Sequence, residues 1–382
     1  MSPADALGGL LGGGSSTPSV RRPAVRVSFG GGAGGGGGLS GLASAASGAL
    51  GLGGEGPDPW AESLVAVTVE GGLAPFVNAA EVELAPGGRA PAVALGDEGS
   101  VALGFGDQGP ATVFTGQVWS LSRGLGRTLR FTATDAGGKL ARLRVNQAFE
   151  AMSAGDVVQQ LASSAGVTPG QVQAGERFPY LVLDDRRTAW DHLAELARRS
   201  GLLGWVTSAG EVVFAAVTPG SPAQTFAYGA DLLSLDAWES PPALGAVTVR
   251  GDGAAGSKGQ DAWSWFAKDP GPVTGQAGSG APERSFRDGA LRSGQAVNAA
   301  ASSLADAAGR GNVTVAALVP GAPAVGVGGT VRLSGCPQAE LDGEYLVARV
   351  RHRYAKGEGF TTTLRLVGLG GGGGAGAGGG LL

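Results

Sequence analysis

The chain has 382 residues, ample for two or three domains with sizeable cores, and 73 of them are glycine. A net charge of −4 with only 16% charged residues excludes both the basic footprint of a nucleic-acid binder and an acidic tail. The single cysteine, Cys336, cannot form an internal disulfide, and no Cys/His set has metal-ligand spacing, so it reads as a small apolar residue beside Pro337.

The glycines concentrate at 30–38, 51–56 and 368–380 without a Gly-X-Y period, which excludes collagen and marks both ends as flexible arms. The folded body is therefore expected at about 60–367. The N-terminus has no basic region ahead of an apolar core, and no apolar run approaches the roughly 20 residues of a membrane helix. A soluble chain made in the cytoplasm, with no stable membrane insertion, is expected.

Short alternating segments at 64–69, 80–84, 100–105, 111–121 and 128–134, separated by Gly and Pro, predict strands of a small barrel or sandwich. The 64–69 strand is apolar on both faces. The period then changes to 3.6. Ser153 caps a helix with Asp156 three residues on, an apolar stripe of Val157, Val158, Leu161 and Ala165, and Gly166 at its end. Thr188, with Asp191, repeats the design for a helix that buries Trp190, Leu193, Ala194 and Ala197 and stops at Gly201. Segments 202–207 and 211–217 flank a Ser-Ala-Gly turn and predict a hairpin. Strand character returns at 246–250, a Gly-rich segment at 251–280 carries Trp263, Trp265 and Phe266, and a third helix is expected at 289–308. Strands at 313–319 and 330–333 follow.

A hairpin pattern occurs twice, at 116–135 and at 343–368. Both copies have a Gly-containing turn and a returning strand with Thr-Leu-Arg before an apolar residue, Thr128 to Phe131 and Thr363 to Leu366. In the second copy Leu346, Ala348 and Val350 alternate with Arg349, Arg351 and Arg353. Two similar sheet units in one chain let a small oligomer imitate a ring with twice as many subunits.

This order of segments resembles the bacteriophage late control gene D family and the N-terminal hub portion of VgrG proteins. The likeness is carried by Phe114-Thr115-Gly116-Gln117-Val118, by Thr134-Asp135 with Leu140, Arg142 and Arg144, and by Asp156-Val157-Val158 up to Gly166. Leu193-Ala194 and Arg198-Arg199-Ser200-Gly201 continue it, and Gly343-Glu344-Tyr345-Leu346-Val347, Val350-Arg351-His352 and Gly359-Phe360-Thr361-Thr362 close it. It covers about residues 60–368.

The resemblance implies a mainly β chain, with two similar tube-like β-barrel domains flanking a smaller α+β domain. The divisions are a Gly-rich arm at 1–59, a first tube-like domain at 60–136, an α+β insert at 137–230, a second tube-like domain with the Gly/Trp-rich loop and helix at 231–367, and a Gly-rich tail at 368–382. It also implies a homotrimeric baseplate hub, assembled in the bacterial cytoplasm into a contractile tail or injection particle. Its partners are then the inner tube, a spike and other baseplate proteins. Because glycines follow the second hairpin in place of an oligonucleotide-binding-like barrel or β-helix, a separate spike protein is implied.

No catalytic, cofactor or metal constellation emerges. His192 adjoins Asp191, but neighbouring helix residues diverge, and Asp184-Asp185 lie beside Arg186-Arg187, which offer simple ion pairing. Neither 104–106 nor 30–38 has the Gly-Lys-Ser/Thr of a phosphate loop. His352 on its strand reads as a packed or interface residue rather than a catalytic one. The residues singled out for an interface are Arg349, Arg351, Arg353 and Arg365 on outward strand faces and the aromatic trio Trp263, Trp265 and Phe266. A tail-associated cell-wall hydrolase and a Gly-rich surface or adhesive protein are the rival readings. The first lacks a Cys/His, Glu/Asp or zinc constellation, and the second lacks tandem repeats and an export signal.

Overall fold

The computed structural model describes residues 22–30, 58–86, 91–106, 109–125, 128–241, 243–252 and 273–369. Its organising unit is a five-stranded antiparallel module of Greek-key order that occurs twice with one topology. The first module comprises β2 (Leu64–Gly72), β3 (Ala79–Leu84), β4 (Glu98–Phe105), β5 (Gly109–Arg123) and β6 (Leu129–Thr134). Its strands lie side by side in the antiparallel order β2-β3-β6-β5-β4. The second module comprises β13 (Ser234–Glu239), β17 (Val313–Pro320), β18 (Thr330–Ser334), β19 (Gly343–Ala355) and β20 (Gly359–Val367). Its order is β13-β17-β20-β19-β18, again antiparallel throughout.

The correspondence extends to defects in the ladders. The β5–β6 ladder slips between Val118 and Ser120, and the β19–β20 ladder slips between Val347 and Arg349. Each bulge is clamped alike: Val118 exchanges backbone hydrogen bonds with Gly96 and Asp97, and Val347 does so with Gly328 and Gly329. Gly96 and Gly328 both have positive φ, +89° and +80°, a backbone that a side chain would strain. Matching the bulges makes Val118 equivalent to Val347, Ser122 to Arg351 and Phe131 to Leu364. The Thr-Leu-Arg echo is thus displaced by two residues from the structural equivalence. The expected alternation of Leu346, Ala348 and Val350 also breaks, because the bulge at Ala348 buries Val347 instead.

Each module curls around its own core. Val67, Val82, Leu103, Phe114 and Phe131 pack together in the first, and Val315, Leu333, Val347, Leu364 and Leu366 in the second. An additional strand lies on the outer edge of each. β12 (Gln224–Ala227) runs parallel to β18, and β1 (Pro23–Phe29) runs antiparallel to β4. The presence of β1 corrects the expectation of a structureless arm over 1–59. Val27 and Phe29 enter the first core, where Phe29 meets Trp60 and Phe131. Trp60 comes from the short helix α1 (Pro59–Ser63).

Between the modules the chain forms α2 (Ala136–Leu140), β7 (Gln147–Ser153), α3 (Ala154–Ser164), β8 (Pro169–Val172), β9 (Arg177–Leu183), α4 (Ala189–Ser200), β10 (Leu203–Val206) and β11 (Val212–Ala215). Both expected capping boxes form, Ser153 with Asp156 and Thr188 with Asp191, and Gly201 closes α4 at φ +68°. Thr188→Ala should cost about 1 kcal/mol in a denaturant titration, since the hydroxyl satisfies the Asp191 N–H at 3.1 Å.

The insert is larger than expected and discontinuous. β14 (Ala246–Gly251), β15 (Val273–Gly278), β16 (Glu283–Asp288) and α5 (Gly294–Arg310) leave the second module between β13 and β17 and join the insert's core. Val297, Ala300 and Ala301 of α5 share that core with Trp190, Leu193 and Leu196 of α4. The boundary at 231 therefore assigned these elements to the wrong body.

Candidate assembly interface

The two modules meet along one strand pair, β2 against β19, with Arg349 opposite Gly72 through Ala355 opposite Ala66. The pairing uses the part of β19 beyond its bulge, which β18 does not reach. Leu73 N–H donates to the Ala348 carbonyl and Lys356 N–H to the Val65 carbonyl. Hydrogen bonds therefore fall at even-numbered β19 positions, and Arg351 opposite Glu70 is a non-hydrogen-bonded pair whose side chains lie close. Their ion pair measures 3.0 Å. Arg349 stacks 4.6 Å over the Phe76 ring, and the Lys356 ammonium donates to the Ala61 and Glu62 carbonyls.

Equivalence of the modules identifies the counterparts of this junction. The counterpart of the β19 segment is 120–124 in and just after β5, and the counterpart of β2 is β13. Among the described residues neither edge has a strand beside it. Ser240 N–H bonds the Asn312 carbonyl on the β17 side, so the backbone groups of Leu235, Ala237 and Glu239 point to the open edge. Val67, Val69 and Gly71, their equivalents in β2, are the residues that bond β19. Exposed large apolar side chains gather at both edges: Trp119 and Leu125 at one, Leu233 and Trp238 at the other, with each tryptophan 52% exposed. Such edges invite pairing with another chain.

The arginines chosen from the sequence do not act as one free set. Arg351 and Arg353 pair within the chain, with Glu70 and Glu358, and Arg349 lies on Phe76. Arg365 is exposed and stands directly opposite Arg349, a like-charge pair that is unfavourable on its own. Trp263, Trp265 and Phe266 lie outside the described residues.

The titratable residues that could suggest catalysis are engaged structurally. His192 is buried and its Nε2 lies 2.8 Å from the Asp184 carbonyl oxygen. The Thr188 hydroxyl, donating to Asp191, holds that carboxyl below its usual range. Asp184 accepts from the Arg186 N–H, and Arg144 binds the Asp185 and Arg186 carbonyls. Burial and the neighbouring Asp342 push the Cys336 thiol up to about 11. A cavity of about 470 Å³ lies between the 73–75 loop, α4 and α5, lined by Arg187, Asp191, Glu195 and Arg198, and Glu195 is ion-paired to Arg198. Among the described residues no group of three or more His, Cys, Asp and Glu converges, and no helix is long and apolar enough to cross a membrane.

Sequence reasoning missed Asp135 as a buried group. It is 3% exposed, its Oδ1 accepts from the Gly137 N–H at 2.9 Å, and its Oδ2 has no hydrogen-bond partner. With His352 it lines a cavity of about 260 Å³ where both modules and the insert meet. The signal was local: an Asp at a strand end before Ala-Gly-Gly is an N-cap.

The fold matches tail proteins of phages and prophages. A 43 kDa tail protein of prophage MuSo2 from Shewanella oneidensis superposes with a TM-score of 0.65 at 13% identity, over 91% of this chain and 98% of that one. A tail protein from Neisseria meningitidis gives 0.61 at 15% identity, over 80% and 92%. The E. coli c3393 protein, a type VI secretion component described as similar to phage T4 tail proteins, gives 0.54 at 9% identity, over 80% and 73%. A family model, the Alg8 N-terminal domain, matches residues 92–251. That stretch begins ahead of β4 and ends with β14, so it omits β3, the partner of β6, and β2 beside it, and corresponds to no folded unit. No curated protein matches the sequence.

Proposed function

We propose that this chain is a non-enzymatic structural hub of a contractile, phage-tail-like injection particle. Three copies join through their tube-like modules into a collar with six similar faces, seated between a hexameric inner tube and a separate trimeric spike, with other baseplate proteins around it. The supporting observation is the duplicated module. Two antiparallel modules of one strand order, each with the same bulge and the same glycine clamp, let a threefold ring offer sixfold contacts. The tail-protein fold agrees with this reading. Function is then geometric, matching symmetries and passing contraction force to the spike, and the outward Arg349 and Arg365 pair is held ready for an acidic surface on a partner ring.

The test is the mass of the purified full chain in solution, by light scattering and native mass spectrometry across a concentration series. Three copies are expected once assembly is favoured. A chain that stays single at high concentration, with tube and spike proteins present, refutes the reading.

A further inference from the structure

The internal β2–β19 junction is a template for the contact between copies, and it specifies which residues meet. We infer that β13 of one copy pairs antiparallel with the distal end of β5 of the next, in the register Ser122 opposite Trp238. This deepens the hub reading and rests on it for the identity of the partner as a second copy of this chain.

The register follows from three correspondences already described. The matched bulges equate Ser122 with Arg351. The β3–β6 and β17–β20 ladders equate Ala79 with Thr314, and their partners across the next ladder equate Glu70 with Trp238. Because Arg351 lies opposite Glu70, Ser122 lies opposite Trp238, with Leu121 opposite Glu239, Arg123 opposite Ala237 and Gly124 opposite Asp236.

The chemistry at the two edges suits this register. Leu121 and Arg123 fall opposite Glu239 and Ala237, whose backbone N–H and carbonyl groups face outward from β13. Arg123 and Glu239 are then diagonal neighbours on one face, opposite charges within reach of long side chains. Trp238 and Leu233 on one edge, Trp119 and Leu125 on the other, lose exposed apolar surface on contact. The contact lacks one bond of its template: Pro241 occupies the position of Leu73 and has no N–H for the Trp119 carbonyl, so the Leu73 to Ala348 hydrogen bond that flanks the internal junction has no counterpart. A head-to-tail contact of this kind leaves one β5 end and one β13 free on every open chain, and only ring closure satisfies both.

The full-length chain carrying Ser122→Cys and Trp238→Cys tests the register. Both positions are exposed, and as a non-hydrogen-bonded antiparallel pair they lie within disulfide reach. The native Cys336 is buried with its thiol pushed up to about 11, so it stays out of the reaction. Mild oxidation should yield covalent oligomers on a non-reducing gel, up to the closed ring and reversed by reductant. Ser122→Cys with Ala237→Cys places the second thiol on the other sheet face and should cross-link at least about tenfold more slowly. An oligomer of the measured mass that gives no cross-link, or equal cross-linking from both pairs, overturns the strand pairing and leaves the hub reading standing. A chain that neither oligomerises by mass nor cross-links removes both.

Discussion

Trp190→Ala should unfold the insert and the first module together, with a loss of roughly 3–5 kcal/mol from the cavity alone. The indole is 1% exposed in the insert core, and its Nε1–H donates to the Phe76 carbonyl at 3.1 Å, in the loop between β2 and β3. Ala74 N–H reaches the Gly204 carbonyl beside it at 2.7 Å, so this loop is tied to the insert at two points. Removing the ring leaves a void and deprives a carbonyl of its donor, which adds about 1–3 kcal/mol if water does not enter. For a domain stabilised by about 5–15 kcal/mol, the sum takes most of the margin. Trp190→Phe keeps most of the volume and loses only the donor, so its cost should be nearer 1–2 kcal/mol. Denaturant unfolding followed by far-ultraviolet dichroism and by fluorescence should show both probes moving together in Trp190→Ala. Separate transitions, or a loss under about 1.5 kcal/mol, would mean that the insert is not coupled to the module through this contact.

The elements with strong local patterns were legible in the sequence for physical reasons that the structure makes plain. α3 and α4 carry their own start and stop signals in Ser153, Asp156, Thr188, Asp191 and Gly201, and these act within one helical turn. The two hairpins were visible because alternation and a Gly turn are short-range. β13 escaped because Ser234, Asp236 and Glu239 leave an edge strand with almost no buried residue to mark it. β1 escaped because its strand state comes from pairing with β4, far along the chain. β9 was hidden by Pro179, which argues against a strand unless it lies at an edge.

Longer-range relations left weaker traces. The apolar stripe of α5 says that Val297, Ala300 and Ala301 are buried but not against which body, and so the split insert was invisible. The β2–β19 junction joins residues some 280 positions apart, and its trace was that residues 64–69 are apolar on both faces. Of the candidate interface residues, the arginines lie on the junction strand and its neighbour, but the open edges beside Ser122 and Ala237 follow only from comparing the two modules in space.

Asp135 and His352 should give the wild-type chain a nearly flat stability between about pH 4 and 6.5, by opposing one another. Burial pushes the Asp135 carboxyl up to about 7 from 3.8, against the hydrogen bond from Gly137. Burial takes the His352 ring down to about 4 from 6.5, against a hydrogen bond to the Val325 carbonyl. The ring is 2% exposed with Nδ1 2.9 Å from the Thr362 hydroxyl oxygen, which also accepts from the Ala322 N–H. A neutral ring satisfies these contacts, with Nδ1 accepting from the Thr362 hydroxyl and the remaining ring N–H available to the Val325 carbonyl.

The slopes follow from proton counts. Between pH 3.8 and 7 the folded chain holds the Asp135 proton and the unfolded chain has lost it, so stability falls as pH rises, by about 4 kcal/mol in total. Between pH 4 and 6.5 the unfolded chain holds the His352 proton and the folded chain does not, so stability rises with pH, by about 3 kcal/mol. Asp135→Asn keeps the Oδ1 acceptor for Gly137 and removes the ionisation. It should stabilise the chain most at pH 8, by up to about 4 kcal/mol, and expose a loss of stability on acidification from 6.5 to 4. His352→Gln should lower the whole curve through lost packing and hydrogen bonding, yet leave stability that falls steadily as pH rises from 4 to 7. The double variant should lose both slopes. Denaturant midpoints for the four proteins at pH 4, 5, 6, 7 and 8 measure these slopes. A wild-type and Asp135→Asn difference that does not grow with pH would show that the carboxyl ionises in the fold as readily as in the unfolded chain, with solvent reaching the cavity where the modules and insert meet.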